Sequence, residues 1–147
     1  MKSLGIAGAA VAAALVASAV VAQTDPLAAR KALMKQNDGG AKVVVAMMRG
    51  QAPFDAAKVD AAFSQWADTA QKLPGLFPPG SDKGDTRASP KIWQNKADFD
   101  AKATAFGKAV AENRDKAQQS VENLKTAVSV VGQACDNCHK DYRLSRR

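Results

Sequence analysis

The chain has 147 residues, which is enough for one domain with a hydrophobic core but not for two. Aromatic residues make up only 5% of it and alanine is plentiful, a composition that favours closely packed helices over sheets. The formal net charge of +7 comes from lysines and arginines that are interspersed with acids. With so few aromatic residues to stack on bases, this pattern argues against nucleic-acid binding.

The first residues, MKSLGIAGAAVAAALVASAVVAQ, have the pattern of a secretory signal peptide. Lys2 gives the positive start, residues 4–21 form the apolar segment, and Ala22 ends a small-residue cleavage site. An uncleaved membrane anchor is the alternative, although the segment is barely long enough to span about 30 Å. The sequence therefore predicts a signal peptide at 1–22, cleaved near Ala22, and an exported domain at 23–147 without a membrane-inserted segment.

Four amphipathic helices are predicted in the exported part. Their predicted spans are, in chain order, 25–49, 56–73, 90–115 and 120–144. The first begins with Asp25 as N-cap and Pro26 at the first helical position. Its middle, NDGG at 37–40, has low helix propensity, but the apolar stripe keeps its phase across this stretch. We therefore expect one helix and not two.

A long segment rich in proline and glycine, LPGLFPPGSDKGDTRASP, joins the second and third predicted helices. It is too long for a tight turn, and Leu76 and Phe77 make it too apolar for a plain linker. We interpret it as an ordered crossover that packs over one end of the helices. Short, long and short connections between four amphipathic helices predict an all-α fold, an antiparallel (up-down-up-down) four-helix bundle.

The stretch CDNCH at residues 135–139 contains both cysteines and the only histidine of the chain. Cysteines at this spacing on one helix are poorly placed for a disulfide. A redox dithiol of the thioredoxin type would need a βαβ setting, and a structural zinc site would need about four ligands. These three alternatives stay open at this point, but the surrounding sequence supports none of them.

The pattern C-x-x-C-H is also the attachment signature of c-type haem. In that chemistry the two thiols add to the vinyl groups of the porphyrin, and the adjacent imidazole binds the iron from one face. The predicted export agrees with it. The motif therefore predicts one covalently attached haem c, held by Cys135 and Cys138, with His139 as an iron ligand.

Three methionines follow the predicted signal peptide, and their positions along the first helix differ. In an up-down-up-down bundle the first helix starts at the end where the last helix finishes, so the haem is expected near that start. Met34 lies about 12 Å from the start of its helix, whereas Met47 and Met48 lie about 20 Å further along. Met34 is thus the candidate for the sixth iron ligand. Ordinary core packing is the alternative for a methionine on such a face.

Several stretches resemble one known family. They are RKALMKQN, RGQAPFDAAKVDAA, LPGLFPPGS, SPKIW and VGQACDNCHKDYR. Together with a haem motif at the end of the last helix, they resemble the class II c-type cytochromes, the cytochrome c-prime family, and most of all its low-spin c-556 branch. Low-spin relatives carry a ligating methionine in the stretch that corresponds to 33–35, which supports Met34. The resemblance also implies a haem propionate as partner for Arg30, with a solvated helix charge as the alternative, and suggests a similar role for Arg143.

The resemblance implies a function as well. We expect a periplasmic one-electron carrier with a His/Met-ligated low-spin haem, and not an enzyme, which docks on acidic surfaces of redox proteins through its basic surface. A high-spin cytochrome c-prime-like protein that binds nitric oxide or carbon monoxide is the alternative. Many relatives pair through their first two helices, so the resemblance implies either a monomer or such a homodimer. Phe77, Trp93 and Phe106 are expected to line the haem pocket or to be core.

Overall fold

The computed structural model describes residues 25–145, which form an antiparallel bundle of four long helices. The elements are α1 (Pro26–Met48), α2 (Ala56–Lys72), a 3₁₀ turn (Leu73–Leu76), α3 (Lys91–Gln94), α4 (Lys96–Ala117) and α5 (Val121–Tyr142). The predicted all-α four-helix bundle is confirmed. The predicted signal peptide lies outside the described residues and stays a prediction. None of the helices between residues 25 and 145 combines the length and apolarity needed to cross a bilayer.

Side chains cap the N-termini of three of the long helices. The carboxylate of Asp25 accepts a hydrogen bond from the backbone N–H of Leu27, and Asp55 and Ser120 cap α2 and α5 in the same manner. Each cap satisfies a backbone donor that has no partner within the helix, which is worth about 1 kcal/mol. These caps fix where α1, α2 and α5 begin.

The first helix is continuous through the NDGG stretch, as predicted. A Cβ added at Gly40 would lie 3.3 Å from the Cβ of Ala62, so the glycine lets α1 and α2 approach closely. Trp66 Nε1 donates to the backbone oxygen of Asn37 (3.3 Å), and the Thr69 hydroxyl donates to Asn37 Oδ1 (2.8 Å). These contacts with α2 offset the low helix propensity of the stretch.

The predicted third helix is interrupted, which corrects the expectation of one helix over 90–115. Asn95 leaves the helical region (φ −129°, ψ 53°) and separates α3 from α4. Ile92, on α3, is almost completely buried against the ends of the long helices. No side-chain cap marks the break, because the side chain of Asn95 makes no hydrogen bond to the start of α4.

The core consists of two clusters, one in each half of the bundle. The Phe63 cluster contains Val44, Met47, Val59, Ala62, Phe63, Trp66, Phe106, Val110, Ala117, Leu124, Ala127 and Val131. The Phe77 cluster contains Leu73, Phe77, Ile92, Phe99 and Tyr142. The long helices neighbour one another in a ring, α1–α2–α4–α5, and α1 and α5 contact each other least. Their separation opens a cavity.

The crossover, residues 73–90, covers the end of the bundle that holds the Phe77 cluster. Gly84 adopts φ +93°, and a Cβ there would lie 3.1 Å from the Leu27 side chain on α1. Beyond this turn the crossover pairs with the segment after α5, because the N–H of Leu144 donates to the oxygen of Arg87 (2.8 Å). The N–H of Ser89 donates to the oxygen of Tyr142 (2.9 Å). The crossover therefore contacts both α1 and the end of α5.

Candidate haem-binding site

A cavity of about 760 Å³ lies between α1 and α5, beside the crossover. Its volume is within the range of pockets that enclose small ligands. All six site residues predicted from the sequence line this one cavity. They are Arg30 and Met34 on α1, Cys135, Cys138 and His139 on α5, and Arg143 directly after α5.

The two cysteines are half-buried at the cavity wall and are not joined to each other. Burial, together with the nearby charge of Asp136, raises the pKa of the Cys135 thiol to about 11, and burial also raises the pKa of Cys138. Redox dithiols need a lowered pKa, so the environment disfavours that alternative. Within residues 25–145 no three His, Cys, Asp or Glu side chains are grouped to hold a metal ion, which disfavours a structural zinc site.

His139 lies one residue after Cys138 on the last turns of α5. Burial and, to a smaller extent, the charge of Arg143 lower the pKa of its imidazole, which favours the neutral form that binds metals. A guanidinium nitrogen of Arg143 lies 3.4 Å from His139 Nδ1. An imidazole that binds iron through Nε2 carries its proton on Nδ1 and cannot accept from an arginine. Haem ligation through Nε2 would therefore release Arg143 from this contact.

The three methionines of α1 lie in different parts of the bundle, as the helix geometry predicts. Met34 is half-buried, packs against the Phe77 cluster together with Cys138, and lines the cavity. Met47 is 3% exposed and packs in the Phe63 cluster, and Met48 packs against the same cluster. Neither of these two lines the cavity.

Arg30 is buried, with 4% of its surface exposed, so the alternative of a solvated helix charge is wrong. Its Nη1 donates to the backbone oxygen of Leu76 and the hydroxyl of Ser81, and its Nη2 to the backbone oxygen of Ser81 and the hydroxyl of Thr86. The guanidinium carbon also lies 4.8 Å from the centre of the Phe77 ring. Burial lowers the pKa of Arg30, and the charge of Asp25 opposes this.

The family Cytochrome C' matches this sequence over residues 25–143. The chain belongs to this family. Among its curated relatives, a cytochrome c-556 from Rhodopseudomonas palustris is 42% identical, with 97% of each chain covered, and a cytochrome c' from the same species is 43% identical over 86% of each chain. A cytochrome c-556 from Agrobacterium fabrum is 39% identical over 80% of each.

Solved structures agree with this assignment. The cytochrome c' from Rhodopseudomonas palustris superposes with a TM-score of 0.80 at 38% identity, covering 85% of this chain and all of that one. An NMR-validated structural model of oxidized cytochrome c556 from the same species superposes with a TM-score of 0.77 at 37% identity, with the same coverage. The chain is thus a c-type cytochrome of this family with a covalently attached haem.

The residues around the cavity fit such a group. Two thiols and a neutral imidazole lie on consecutive turns of one helix, a thioether sulfur lies on the facing helix, and both sets line the same cavity. Phe77 and Phe106 line this cytochrome's cavity as expected, whereas Trp93 packs behind Phe77 with its ring centre 5.8 Å away and donates from Nε1 to the oxygen of Pro78.

Sequence reasoning did not assign other residues that line the cavity of this cytochrome. Tyr142, one turn after Cys138, was not among the predicted site residues, yet its hydroxyl donates to Asp98 at 2.5 Å. This bond raises the pKa of Tyr142 to about 12 and keeps the phenol protonated. Lys102 and Arg87 line the cavity from α4 and from the crossover. No local motif marks these positions, because only the tertiary fold brings them to the cavity.

Proposed function

We propose that this cytochrome is a one-electron carrier whose haem iron is held between His139 and Met34. One observation carries the proposal. Within the described part of the chain, Met34 is the only methionine that lines the cavity containing Cys135, Cys138 and His139. A thioether opposite an imidazole is a ligand pair that stabilises the reduced iron and suits electron transfer.

Each residue of the site has a defined task in this proposal. Cys135 and Cys138 would hold the porphyrin on α5, and His139 and Met34 would bind its iron. When bound, the haem supplies an iron that takes up and releases one electron. The apolar wall of the cavity, formed by residues such as Phe99, excludes water and so favours the lower charge of the reduced state.

The two arginines are proposed to provide positive charge for the haem propionates. Arg143 is exposed at the cavity rim, and iron ligation through Nε2 of His139 would release it from its contact with Nδ1. Arg30 has no carboxylate partner among the described hydrogen bonds, and its Nε–H is the one guanidinium nitrogen that makes none of the four bonds to the crossover. A propionate would then interact with the charge of Arg30 and with this remaining donor.

An absorption spectrum of the purified protein tests the iron ligation. The ferric protein should be six-coordinate and low-spin, and the ferrous protein should take up carbon monoxide slowly. Met34→Leu preserves side-chain volume but removes the sulfur, so it should give a high-spin iron that binds carbon monoxide readily. Met47→Leu is the matched control and should keep the wild-type spectrum, because Met47 packs in the Phe63 cluster.

A Met34→Leu protein that stayed low-spin would contradict the assignment of Met34. A wild-type protein that was high-spin at neutral pH and bound nitric oxide or carbon monoxide at once would favour the gas-binding alternative. The relatives include proteins named cytochrome c-556 and cytochrome c'. The two outcomes are read from the same pair of samples.

We also propose that the protein works in the periplasm after removal of residues 1–22. Mass spectrometry of the periplasmic fraction should give an N-terminus at Gln23, and an intact N-terminus would contradict the cleavage. The basic surface is proposed to dock on an acidic redox protein. Electron transfer to such a partner should then slow markedly as salt rises, since charged surfaces more than about 10 Å apart are screened at 0.1 M.

A homodimer through α1 and α2 is proposed from the resemblance alone. Val43 is 41% exposed on the outer surface of α1 and is a residue that such an interface would cover. Sedimentation of the wild type and of Val43→Glu distinguishes a homodimer from a monomer. A dimer that becomes a monomer in the variant supports the interface, and a wild-type monomer at high concentration contradicts it.

A further inference from the structure

The crossover connects the two helices that face each other across the cavity. At one side it contacts the first turns of α1, where Arg30 binds it and Lys31 forms an ion pair with Asp85 (2.6 Å). At the other side the oxygen of Arg87 accepts a hydrogen bond from Leu144, directly after α5. Only one residue separates the Arg30 acceptor Thr86 from the crossover residue Ala88, which bridges to Arg143. Because α1 and α5 contact each other less than any other neighbouring pair of long helices, this connection spans the cavity.

From this geometry we propose that Arg30 is a positioning residue for the sixth iron ligand, which it holds in place through its four hydrogen bonds to the crossover. The inference rests on the proposed ligation by Met34, which lies one helical turn after Arg30. In this arrangement the crossover fixes how far α1 stands from α5, and therefore how firmly Met34 is kept at the iron.

The guanidinium of Arg30 makes a set of hydrogen bonds that a lysine could not form. Four bonds from Nη1 and Nη2 end on two backbone oxygens and two hydroxyls, all in the crossover. A guanidinium presents its donors in a planar fork, whereas an ammonium is a compact point charge with three donors. Arg30→Lys would keep a positive charge near the propionates but lose most of this network. The two roles of Arg30 can thus be separated.

The acceptors offer a second way to weaken the network without changing Arg30. Ser81→Ala together with Thr86→Val deletes the two hydroxyl acceptors and leaves the two backbone acceptors and the charge of Arg30 in place. It also removes the bonds of these hydroxyls to Pro78 and Ala88, within the crossover itself. The control comes from the other half of the bundle, where Arg114 makes a similar fork to Asp60 (2.7 and 2.9 Å) and to Ser64 (2.7 Å). Arg114→Lys disrupts a comparable network that does not line the cavity.

Two measurements on the holoprotein read the effect. The first is the rate at which the ferrous protein takes up carbon monoxide, which requires Met34 to leave the iron. The second is cleavage by trypsin after Lys83, an exposed residue of the crossover. Because hydrogen bonds to a charged group are stronger than those between neutral groups, carbon monoxide uptake should be at least about tenfold faster in Arg30→Lys and in the Ser81/Thr86 double variant. Both variants should also be cleaved faster, and Arg114→Lys should behave as wild type.

Wild-type uptake and cleavage in the double variant would overturn the inference, even if Arg30→Lys fails to fold. Wild-type uptake in the double variant with faster uptake in Arg30→Lys would also overturn it, since Arg30 would then act on Met34 without the hydroxyl acceptors of the crossover. A high-spin wild-type spectrum would overturn the proposed function and this inference with it. That failure is seen before any variant is made, so the two failures are distinguishable.

Discussion

In the half of the bundle around Phe63, side chains from all four long helices contact one another directly, and only Trp66, Phe106 and Val131 of that cluster reach the cavity. In the half around Phe77 the cavity parts α1 from α5. The first half contains most of the fully buried side chains, including Val44, Val110 and Leu124. The second is closed by the crossover and by the segment after α5. Side-chain packing therefore stabilises the half around Phe63. In the half around Phe77, the crossover and the haem provide part of the stabilisation. Five substitutions test this division.

Phe63→Ala should have the largest effect on stability. Phe63 is completely buried and packs against Trp66 with ring centres 4.9 Å apart. Removing such a ring from a closed core costs about 3–5 kcal/mol, because the surroundings cannot fill the space. Urea unfolding followed by circular dichroism measures the loss. The haem spectrum without urea should stay as in the wild type, and a change of iron ligation in this variant would contradict the division.

Phe77→Leu should affect stability less and the iron site more. The centre of the Phe77 ring lies 4.8 Å from that of Phe99 and 5.8 Å from that of Trp93, and the guanidinium of Arg30 lies over the Phe77 ring. The substitution removes these two aromatic contacts and the cation–π contact. We expect a loss of about 1–2 kcal/mol in urea unfolding together with faster carbon monoxide uptake. A loss as large as that of Phe63→Ala, without any change in uptake, would show that the two halves are equivalent.

Gly39→Ala and Gly40→Ala form a matched pair in the middle of α1. Gly39 has no atom within 4 Å of an added Cβ, so alanine should stabilise the helix by about 0.5–1 kcal/mol. At Gly40 the added Cβ would lie 3.3 Å from Ala62, and this crowding should cancel the gain. Thermal unfolding compares them. Equal stabilisation by both substitutions would mean that α1 and α2 can separate at no cost.

The smallest expected effect is on the pH dependence of stability. Hydrogen bonds from Arg114 hold the pKa of Asp60 below its ordinary value of 3.8 in the folded protein. The Asp60–Arg114 pair therefore stabilises the folded protein fully when the pH is above that ordinary pKa. This stabilisation is lost as the pH falls through the lower pKa of Asp60 in the folded state. The stability difference between the wild type and Asp60→Asn should therefore shrink below about pH 4. Urea unfolding at several pH values measures it, and a difference that grew on acidification would contradict the sign.

Much of the fold was predictable, because the helix caps and apolar periodicity are local signals. Asp25, Asp55 and Ser120 mark helix starts by their own chemistry, and the NDGG stretch did not break α1. The break at Asn95 was missed, since it depends on how Ile92 packs against other helices. At the site, the spacing of CDNCH predicted that the cysteines and His139 lie together, and helix geometry predicted that Met34 lies at the same end of the bundle, and all four line one cavity. The burial of Arg30 was not predictable, because its acceptors lie about fifty residues away in the crossover, and no pattern in α1 refers to them.

The placement of Met34 and the cysteines on the first and last helices has a consequence for unfolding. A thioether-linked haem stays with the chain when the bundle opens, whereas a bond to Met34 exists only while α1 and α5 face each other. With Met34 as the ligand, carbon monoxide meets an open iron in the unfolded chain but must displace Met34 in the folded one. By mass action the gas then binds the unfolded state preferentially. Carbon monoxide would act on the ferrous protein as a denaturant, limited by the free energy of the bond that it replaces.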